Sequence, residues 1–310
     1  MNIKSMIKEK AKDIGFDLVG VTDLSPSKYK KEYENWLLKG MHADMDYLVK
    51  TKMVRLSPLL RYRWAKSILM VGMNYYPGQP LNSKKDKILI SRYAMGRDYH
   101  VVLNEKLFEL SNFIISTTGV RQTKYYTDTG PLLEKELAQR AGLGWIGKNT
   151  ILITEEFGSW IFLGEILLDI EVEPDEPGKD RCEDCDLCSK YCPSQALIPS
   201  YILNNNLCTA FHTVMNKGKL PDWFPSSGNP YIFGCDICQE VCPFNRDVKR
   251  TKISAFLPRE KLVNPDIQWL SGLKEEEFKH NFKNTPVEWS GFDIFMRNVN
   301  AFLKKKHGYI

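Results

Sequence analysis

The sequence predicts an α/β domain followed by a ferredoxin-like module and a short helical C-terminal tail. Candidate helices and strands alternate over the first half of the chain, as in domains that pack helices over a central sheet. All eight cysteines lie between Cys182 and Cys242, and the first 181 residues contain none. So sharp a change in composition indicates a separate module. We therefore predict three domains, covering residues 1–173, 174–250 and 251–310.

The elements of the first domain are predicted from the spacing of apolar residues. A period near 3.6 residues predicts helices, and short apolar runs bounded by turn residues predict strands. The predicted helices cover residues 3–14, 28–38, 99–116 and 131–141. The predicted strands cover residues 16–21, 67–73, 124–127, 150–154 and 160–170. A linker is expected at 171–178, and the tail is expected to be helical over 274–302, with Phe278, Phe282 and Phe302 as anchors.

Composition excludes several classes of protein. The chain has 43 basic and 38 acidic residues, so its net charge of +5 permits an anionic partner without requiring one. No segment approaches the roughly 20 apolar residues of a membrane span, and the N-terminus has no apolar signal core. We expect a cytoplasmic protein without membrane association. In that reducing compartment, clustered cysteines indicate metal binding or catalysis.

The cysteines follow the spacing of bacterial ferredoxins. The first run is Cys182-x2-Cys185-x2-Cys188-x3-Cys192-Pro193. The second repeats it with a stretched first spacing, as Cys208 and then Cys235-x2-Cys238-x3-Cys242-Pro243. In such double runs the cysteine before proline ligates the other cluster. This crossed pattern assigns Cys182, Cys185, Cys188 and Cys242 to one 4Fe–4S cluster, and Cys192, Cys208, Cys235 and Cys238 to the second.

Two structural zinc sites are the alternative, because paired C-x2-C motifs also hold tetrahedral zinc. Zinc requires neither the third cysteine of the first run nor the proline after the last cysteine of each run. The ferredoxin interpretation explains more of the spacing. It also predicts a protein that transfers single electrons.

Residues 142–149 (GLGWIGKN) partly match two nucleotide-binding patterns, GxGxxG and GxxxxGK. Both patterns need a strand before the loop and a helix after it, so that a phosphate meets a helix N-terminus. Here a predicted helix precedes the loop and a predicted strand follows it. The segment is therefore predicted to be a turn that does not bind nucleotides.

Asp128 begins the segment Asp128-Thr129-Gly130-Pro131, between a predicted strand and a predicted helix. Taken alone, the segment is typical of a turn with Pro131 at the first helical position. The functional interpretation is an acid at the end of a strand, where open α/β sheets place their ligands. Asp98 precedes another predicted helix and His100 lies in its first turn, and the pattern favours a cap and an exposed first-turn residue.

Taken together, these segments resemble the epoxyqueuosine reductases, cobalamin-dependent iron–sulfur enzymes that complete queuosine synthesis in tRNA. The resemblance extends over nearly the whole chain. Besides the double cysteine run, it rests on residues 91–100 (SRYAMGRDYH), 127–131 (TDTGP), 141–149 (AGLGWIGKN), 158–160 (GSW) and 234–239 (GCDICQ).

The resemblance implies base-off cobalamin bound by the α/β domain against one cluster, with Asp128 over the cobalt face as the proton donor. The cobalamin contacts that it implies are Arg55, Ser91, Asp128, Leu152, Leu163, Cys235 and Asp236. It also implies tRNA carrying epoxyqueuosine as the substrate. The electron donor would be a ferredoxin, a flavodoxin or a small reductant, and we expect a monomer. The corrinoid motif D-x-H-x-x-G is absent from the sequence, so spacing alone does not indicate cobalamin.

Two segments depart from the family where cofactor or tRNA is expected. Residues 228–233 (GNPYIF) stand where Gly-Asn-Arg is common, and residues 209–212 (TAFH) where a segment containing serine is usual. Lys304, Lys305 and Lys306 are candidates for tRNA contact, although such a run is more typical of a solvated tail. The alternatives in function are another corrinoid reductase, of the reductive dehalogenase type, and a non-catalytic electron-transfer or tRNA-binding module.

Overall fold

The computed structural model describes residues 2–78, 88–198, 201–224 and 227–306, except for the side chains of 198 and 304–306. The chain divides into two compact units. The first comprises Met1–Asn74 and His100–Cys185, and the second Tyr75–Tyr99 and Asp186–Ile310. The predicted boundary at residue 173 falls inside the first unit. These units are defined by contacts within the chain, and they leave the three-domain division a prediction.

The first unit contains an antiparallel four-stranded sheet. Its strands are β1 (Leu18–Thr22), β2 (Ser67–Asn74), β4 (Thr123–Tyr126) and β7 (Ile161–Leu168), in the spatial order β1-β2-β7-β4. The central strand β2 is buried along its whole length. Two further strands, β5 (Trp145–Ile146) and β6 (Leu152–Ile153), form a separate antiparallel pair.

Six helices belong wholly or mainly to the first unit: α1 (Ile3–Ile14), α2 (Lys30–Leu38), α3 (Asp46–Lys50), α4 (Lys52–Leu56), α5 (Tyr99–Thr118) and α6 (Glu134–Arg140). Helix α6 packs on one face of the sheet, where Leu137 and Ala138 join Ile68, Met70 and Leu167 in one apolar cluster. Side chains of a strand alternate between the faces of its sheet. Glu165, two residues before Leu167, therefore points toward the α6 face.

The alternation of helices with strands is confirmed, and the apolar spacing of the helix from Tyr99 was read correctly, since Val102, Leu103, Leu107, Leu110 and Ile114 are buried. Two details differ. All strand pairs of the sheet are antiparallel, so the ligand rule for open parallel sheets does not apply to Asp128. Helix α6 begins at Glu134 instead of Pro131, because residues 127–133 form an extended turn held by its own hydrogen bonds.

The second unit contains two pairs of short strands. Strand β3 (Leu89–Ile90) runs parallel to β10 (Tyr231–Phe233), and β8 (Leu197–Ile198) pairs with β9 (Ile202–Leu203). Its helices are α7 (Leu187–Lys190), α8 (Thr209–Val214), α9 (Ile237–Glu240), α10 (Ile267–Ser271), α11 (Glu275–Asn281), α12 (Pro286–Ser290) and α13 (Phe292–Lys306). One short helix lies within each cysteine run, α7 in the first and α9 in the second.

The C-terminal helices form the core of the second unit. Phe278, Phe282 and Phe295 pack with ring centroids 4.8–5.4 Å apart, in one cluster with Ile90 and Phe233. The predicted anchors Phe278 and Phe282 are confirmed as buried, and Phe302 packs against the cluster. The predicted helical segment is thus three helices, α11 to α13. In the part of the chain that the structure describes, no helix is long and apolar enough to cross a membrane.

Candidate functional site

The turn that carries Asp128 joins β4 to α6. Asp128 has a φ of +58°, which lies in the left-handed region that residues other than glycine seldom adopt. The Thr127 hydroxyl donates to the Leu163 carbonyl at 2.8 Å, and the Thr129 N–H donates to the Thr127 carbonyl at 2.7 Å. The Asp128 N–H donates to Glu134 Oε1 at 2.7 Å. Surrounding hydrogen bonds thus hold Asp128 in its unusual conformation.

The carboxylate of Asp128 projects outward, with 64% of its side chain exposed. His100 Nε2 lies 3.7 Å from Asp128 Oδ2, so the first turn of α5 brings an imidazole to the acid. Burial and, next, the negative charge of Asp128 raise the pKa of Tyr47, which places that phenol in the same neighbourhood. The site therefore joins an acid, an imidazole and a phenol from three separate parts of the first unit. Sequence spacing did not predict this association.

Two glutamates behind the turn were missed by sequence reasoning. Glu165 in β7 is fully buried, and among the described residues neither of its carboxyl oxygens has a hydrogen-bond donor. Its neighbour is the carboxyl of Glu134, the group that accepts the Asp128 N–H. Burial is the main cause that raises the pKa of both glutamates, that of Glu134 to about 8. The available signal was a single charged residue inside the otherwise apolar strand of residues 161–168 (IFLGEILL), since Glu is almost never buried alone.

Arg55 is held rigidly by neighbouring groups of the first unit. Its Nη1 donates to the Leu132 carbonyl at 2.8 Å, and its Nε donates to Thr51 Oγ1 at 2.9 Å. Its guanidinium lies 5.7 Å from the ring centroid of Tyr47. The ring of Tyr47 and the nearby side chain of Met53 are exposed. A cation, an aromatic ring and an apolar side chain on one surface suit a large ligand with apolar faces and polar edges.

The two leucines predicted as cobalamin contacts differ in accessibility. Leu152 is 3% exposed and belongs to the apolar cluster beneath α6, whereas Leu163 is half-buried and packs against that cluster. Leu163 also supplies the carbonyl that anchors the Asp128 turn. Leu163 is therefore the better placed of the two to meet a ligand near Asp128, and both contacts stay predictions.

In the second unit, Ser91 and Asp236 meet although 145 positions separate them in sequence. The Ser91 hydroxyl donates to Asp236 Oδ1, and the Arg92 N–H donates to Asp236 Oδ2 at 2.8 Å. Burial raises the pKa of Asp236, and the adjacent Arg92 opposes that shift. The close approach depends on Gly234, where a Cβ atom would lie 2.4 Å from Ser91 Cβ. These two predicted cofactor residues thus form one buried group next to Cys235.

Four cysteines of the second unit lie within electrostatic reach of one another: Cys192, Cys208, Cys235 and Cys238. Burial is the main cause that raises the thiol pKa of the last three, that of Cys235 to about 12, and the neighbouring cysteines raise them further. Four neighbouring thiolates would repel one another without a cationic group among them. This set is the one that the crossed ferredoxin pattern assigns to the second cluster, and its chemistry fits that group.

N–H groups surround this set. Backbone N–H groups of Ala210 and Phe211 donate to Cys208, and Asn229 Nδ2 donates to Cys235 Sγ at 3.4 Å and to Thr209 Oγ1 at 2.9 Å. Such N–H···S contacts stabilise thiolates and tune iron–sulfur clusters. Both segments that depart from the family, 209–212 and 228–233, thus contribute donors to the cysteine set.

The four cysteines assigned to the first cluster are Cys182, Cys185, Cys188 and Cys242. Cys182 and Cys242 are buried, and burial raises the pKa of Cys182. Within the described ranges, no three Cys, His, Asp or Glu side chains are arranged to hold a single metal ion.

The glycine-rich segment follows a helix and precedes a strand, as predicted, but it also contains a strand of its own and is therefore part of a hairpin. Helix α6 ends at Arg140, and the segment then forms β5, a turn and β6. Gly147 N–H donates to the Ile151 carbonyl at 2.9 Å, and a Cβ atom at Gly144 would lie 2.0 Å from the Ile153 carbonyl oxygen. Lys148 Nζ donates to the Glu183 carbonyl at 2.5 Å. The glycines serve close backbone packing, and no helix N-terminus follows the loop.

We therefore expect the hairpin to have no measurable affinity for ATP with Mg²⁺. Titration calorimetry of the parent and of Lys148→Ala should show no binding in either protein, because the segment presents no helix N-terminus to a phosphate. Micromolar binding that Lys148→Ala abolished would contradict this expectation.

The side chains of Lys304, Lys305 and Lys306 lie outside the described residues, although α13 extends through Lys306. Their contact with tRNA stays a prediction.

Two family models match the chain. The family described as epoxyqueuosine reductase QueG, DUF1730, matches residues 55–129, a range that includes Arg55 and Asp128. The 4Fe-4S double cluster binding domain matches residues 181–245 and so covers all eight cysteines. The second match supports the ferredoxin interpretation of the cysteine spacing.

Proteins of similar sequence extend the likeness to nearly the whole chain. The epoxyqueuosine reductase of Synechocystis is 36% identical over 92% of this chain and 98% of that protein. That of Cyclobacterium marinum is 34% identical over 97% of this chain and 96% of that protein. That of Vibrio cholerae is 34% identical over 96% of this chain and 82% of that protein.

Solved structures show the same likeness in three dimensions. A crystal structure of epoxyqueuosine reductase with an epoxyqueuosine-modified tRNA-Tyr stem loop has a TM-score of 0.89 and 32% identity, and the match covers 98% of this chain and 82% of that one. A structure of the Bacillus subtilis enzyme, with an aspartate-bearing catalytic loop swung out of the active site, has a TM-score of 0.86 and 30% identity, and covers 98% of this chain and 82% of that one.

Proposed function

Because the chain belongs to the epoxyqueuosine reductase family, we propose that it reduces epoxyqueuosine to queuosine at the wobble position of tRNA. The reaction takes up two electrons and two protons, removes the epoxide oxygen as water and leaves a carbon–carbon double bond. The observation that carries the proposal is the match, over 98% of this chain, to an epoxyqueuosine reductase with a modified tRNA stem loop.

Two 4Fe–4S clusters supply the electrons one at a time. Cys192, Cys208, Cys235 and Cys238 hold the second cluster, as their mutual proximity and N–H donors support. Cys182, Cys185, Cys188 and Cys242 hold the first cluster, on the strength of the ferredoxin spacing alone. The donor that reduces the clusters is a ferredoxin, a flavodoxin or a small reductant.

Cobalamin, when bound, supplies a strongly reducing centre at which single electrons are passed to the epoxide. Arg55, Leu163 and the exposed ring of Tyr47 form the part of the first unit that suits such a ligand. Ser91, Asp236 and Cys235 are further cobalamin contacts that the family resemblance implies. The exposed carboxyl of Asp128 donates a proton to the oxygen released from the epoxide, since an alkoxide or hydroxide is a poor leaving group until it is protonated.

The substrate is recognised as part of a tRNA, and Lys304, Lys305 and Lys306 contribute to that contact through the phosphate backbone. The protein acts as a cytoplasmic monomer. The phosphate contacts, the location and the monomeric state are inferred from the sequence and from the family.

The test is conversion of a tRNA stem loop that carries epoxyqueuosine. Protein reconstituted anaerobically with iron, sulfide and cobalamin should, with a one-electron reductant, remove one oxygen atom from the modified nucleoside, as mass spectrometry of the digested RNA would show. Protein reconstituted without cobalamin is the control. A non-catalytic module would bind clusters and leave the epoxide intact. A dehalogenase-type enzyme would leave the epoxide intact and reduce an aryl halide.

A further inference from the structure

The carboxyl groups of Glu134 and Glu165 lie next to each other behind the Asp128 turn. Neither group has a role in the proposed mechanism. Glu165 belongs to the sheet and faces α6, and Glu134 is the first residue of α6. Glu165 is fully buried. Within the described part of the chain, neither of its oxygens has a donor. A buried carboxylate with no donor is strongly disfavoured.

A single proton shared between the two carboxyl groups gives the buried Glu165 carboxyl a hydrogen-bond partner. A protonated Glu165 donates its O–H to the carboxylate of Glu134, and the hydrogen bond between these side chains favours the proton on Glu165 and the charge on Glu134. The same Glu134 carboxylate accepts the Asp128 N–H at 2.7 Å. The result is a chain of two hydrogen bonds, from the Glu165 O–H and from the Asp128 N–H, that converge on Glu134.

We propose that Glu134 is the positioning residue for Asp128, and that a protonated Glu165 holds Glu134 in place. Asp128 needs such support because its backbone is in the left-handed region. In a relative from Bacillus subtilis, an aspartate-bearing catalytic loop has been seen swung out of the active site. A turn that can leave the site needs a contact that holds it in, and the N–H bond to Glu134 is such a contact.

The protonation of Glu134 and Glu165 depends on pH. The groups that act on the pair are Asp128, whose charge raises both pKa values, and Arg55, whose charge lowers both. Burial and the hydrogen bond to the Tyr126 hydroxyl, at 2.8 Å, are the main causes that raise the pKa of Tyr62, and Glu165 adds to them. Since the pKa of each glutamate is raised, the pair keeps at least one proton at neutral pH and loses its last proton as the pH rises. Two adjacent buried carboxylates then repel each other, and Glu134 releases the turn on the alkaline side.

Hydrogen exchange of the Asp128 amide tests the positioning role without any cofactor or substrate. Its protection factor, measured against an unstructured peptide at the same pH, should fall by about tenfold or more in Glu134→Ala, because a hydrogen bond to a charged acceptor is lost. Glu165→Leu removes the donor to Glu134 at similar volume and should also lower protection. Glu165→Gln keeps an N–H donor and should retain it. Unchanged protection in Glu134→Ala would overturn the proposal.

The shared proton has its own readout. Infrared spectra of the parent at neutral pH should contain the C=O stretch of a protonated carboxyl, which disappears on alkaline titration and is absent from Glu165→Gln. Glu109→Gln, an exposed glutamate of α5 paired with Lys10, is the matched control and should keep the band. In the parent, Asp128 protection should fall over the same pH range, whereas in Glu165→Gln it should not. A parent without the band, or equal pH dependence in both proteins, would refute the shared proton.

The effect on catalysis rests on the proposed function, and its failure can be separated from that of the pair. In the reconstituted enzyme, Glu134→Ala should lower kcat while leaving KM for the modified stem loop near that of the parent. Glu165→Gln should keep kcat and lose the alkaline decline. The exchange and infrared results can agree with expectation while kcat of Glu134→Ala stays unchanged. In that case Glu134 and Glu165 do share a proton, and the proposal that Asp128 acts in catalysis is wrong.

Discussion

Replacing Asp128 by asparagine is expected to lower turnover of epoxyqueuosine-containing tRNA by about 10²–10⁴-fold, the usual contribution of a general acid. Asparagine is nearly the same shape and tolerates the left-handed backbone of this position, where φ is +58°. It cannot donate a carboxylic proton. Single-turnover assays with the prereduced enzyme would measure the loss directly, because they separate the chemical step from binding and product release.

The structure alters one premise of this prediction. A carboxyl group serves as an acid at neutral pH when burial favours its neutral form, yet 64% of the Asp128 side chain is exposed. The side chains of the described residues by themselves therefore leave this acid exposed. Bound cofactor and substrate must cover it during the reaction. His100 Nε2 lies 3.7 Å from Asp128 Oδ2.

The controls for Asp128→Asn are cluster content, cobalamin binding and affinity for the stem loop, all of which should equal those of the parent. Asp128→Glu should recover part of the activity if the longer side chain still reaches the substrate. Turnover of Asp128→Asn within a few-fold of the parent would show that Asp128 serves only the turn, and that another group supplies the proton.

Replacing Cys208 by serine is expected to remove the second cluster. Iron and acid-labile sulfide should fall from about eight to about four of each per chain, because the ligand set of one 4Fe–4S cluster is broken. Turnover should be lost as well, since the electron relay is interrupted. Cys208 is the informative choice because it lies outside the C-x2-C motifs in the sequence. Its assignment to a cluster depends only on the crossed pattern.

Cys182→Ser is the matched comparison, because it breaks the other ligand set. It should also leave about four irons per chain, but the remaining cluster should have a different electron paramagnetic resonance spectrum from the cluster left in Cys208→Ser. Identical spectra for the two variants would contradict the crossed assignment. Stoichiometric zinc in the parent, with no broad visible absorbance, would overturn the ferredoxin interpretation itself.

Features that depend on residues close together in the chain were predictable. The ligand spacing of Cys182, Cys185 and Cys188 is visible because one short loop must wrap one cluster. The long helix α5 was predicted because a buried helical face imposes its period on the sequence. The glycine-rich hairpin was recognised from the order of its neighbours, a helix before and a strand after.

Pairings between distant segments were not predictable. Strand direction is invisible to apolar spacing, because an apolar run reads the same in either direction, so the antiparallel sheet was not foreseen. Glu165 and Glu134 appear in the sequence as two ordinary glutamates, 31 positions apart, and nothing local says that one is buried against the other. Ser91 and Asp236 were named through the family resemblance, and only the structure shows that they share a hydrogen bond.

The sequence by itself determined the redox chemistry of this protein, since eight cysteines at ferredoxin spacing specify ligands whatever surrounds them. The family resemblance then predicted Asp128 as the proton donor. What only the tertiary structure decided is the environment of that acid: an exposed carboxyl with His100 beside it, on a turn whose N–H is bound by Glu134. The physical reason is that ligand identity is a property of single residues and short loops. Solvation and proton sharing depend on which distant groups the fold brings together.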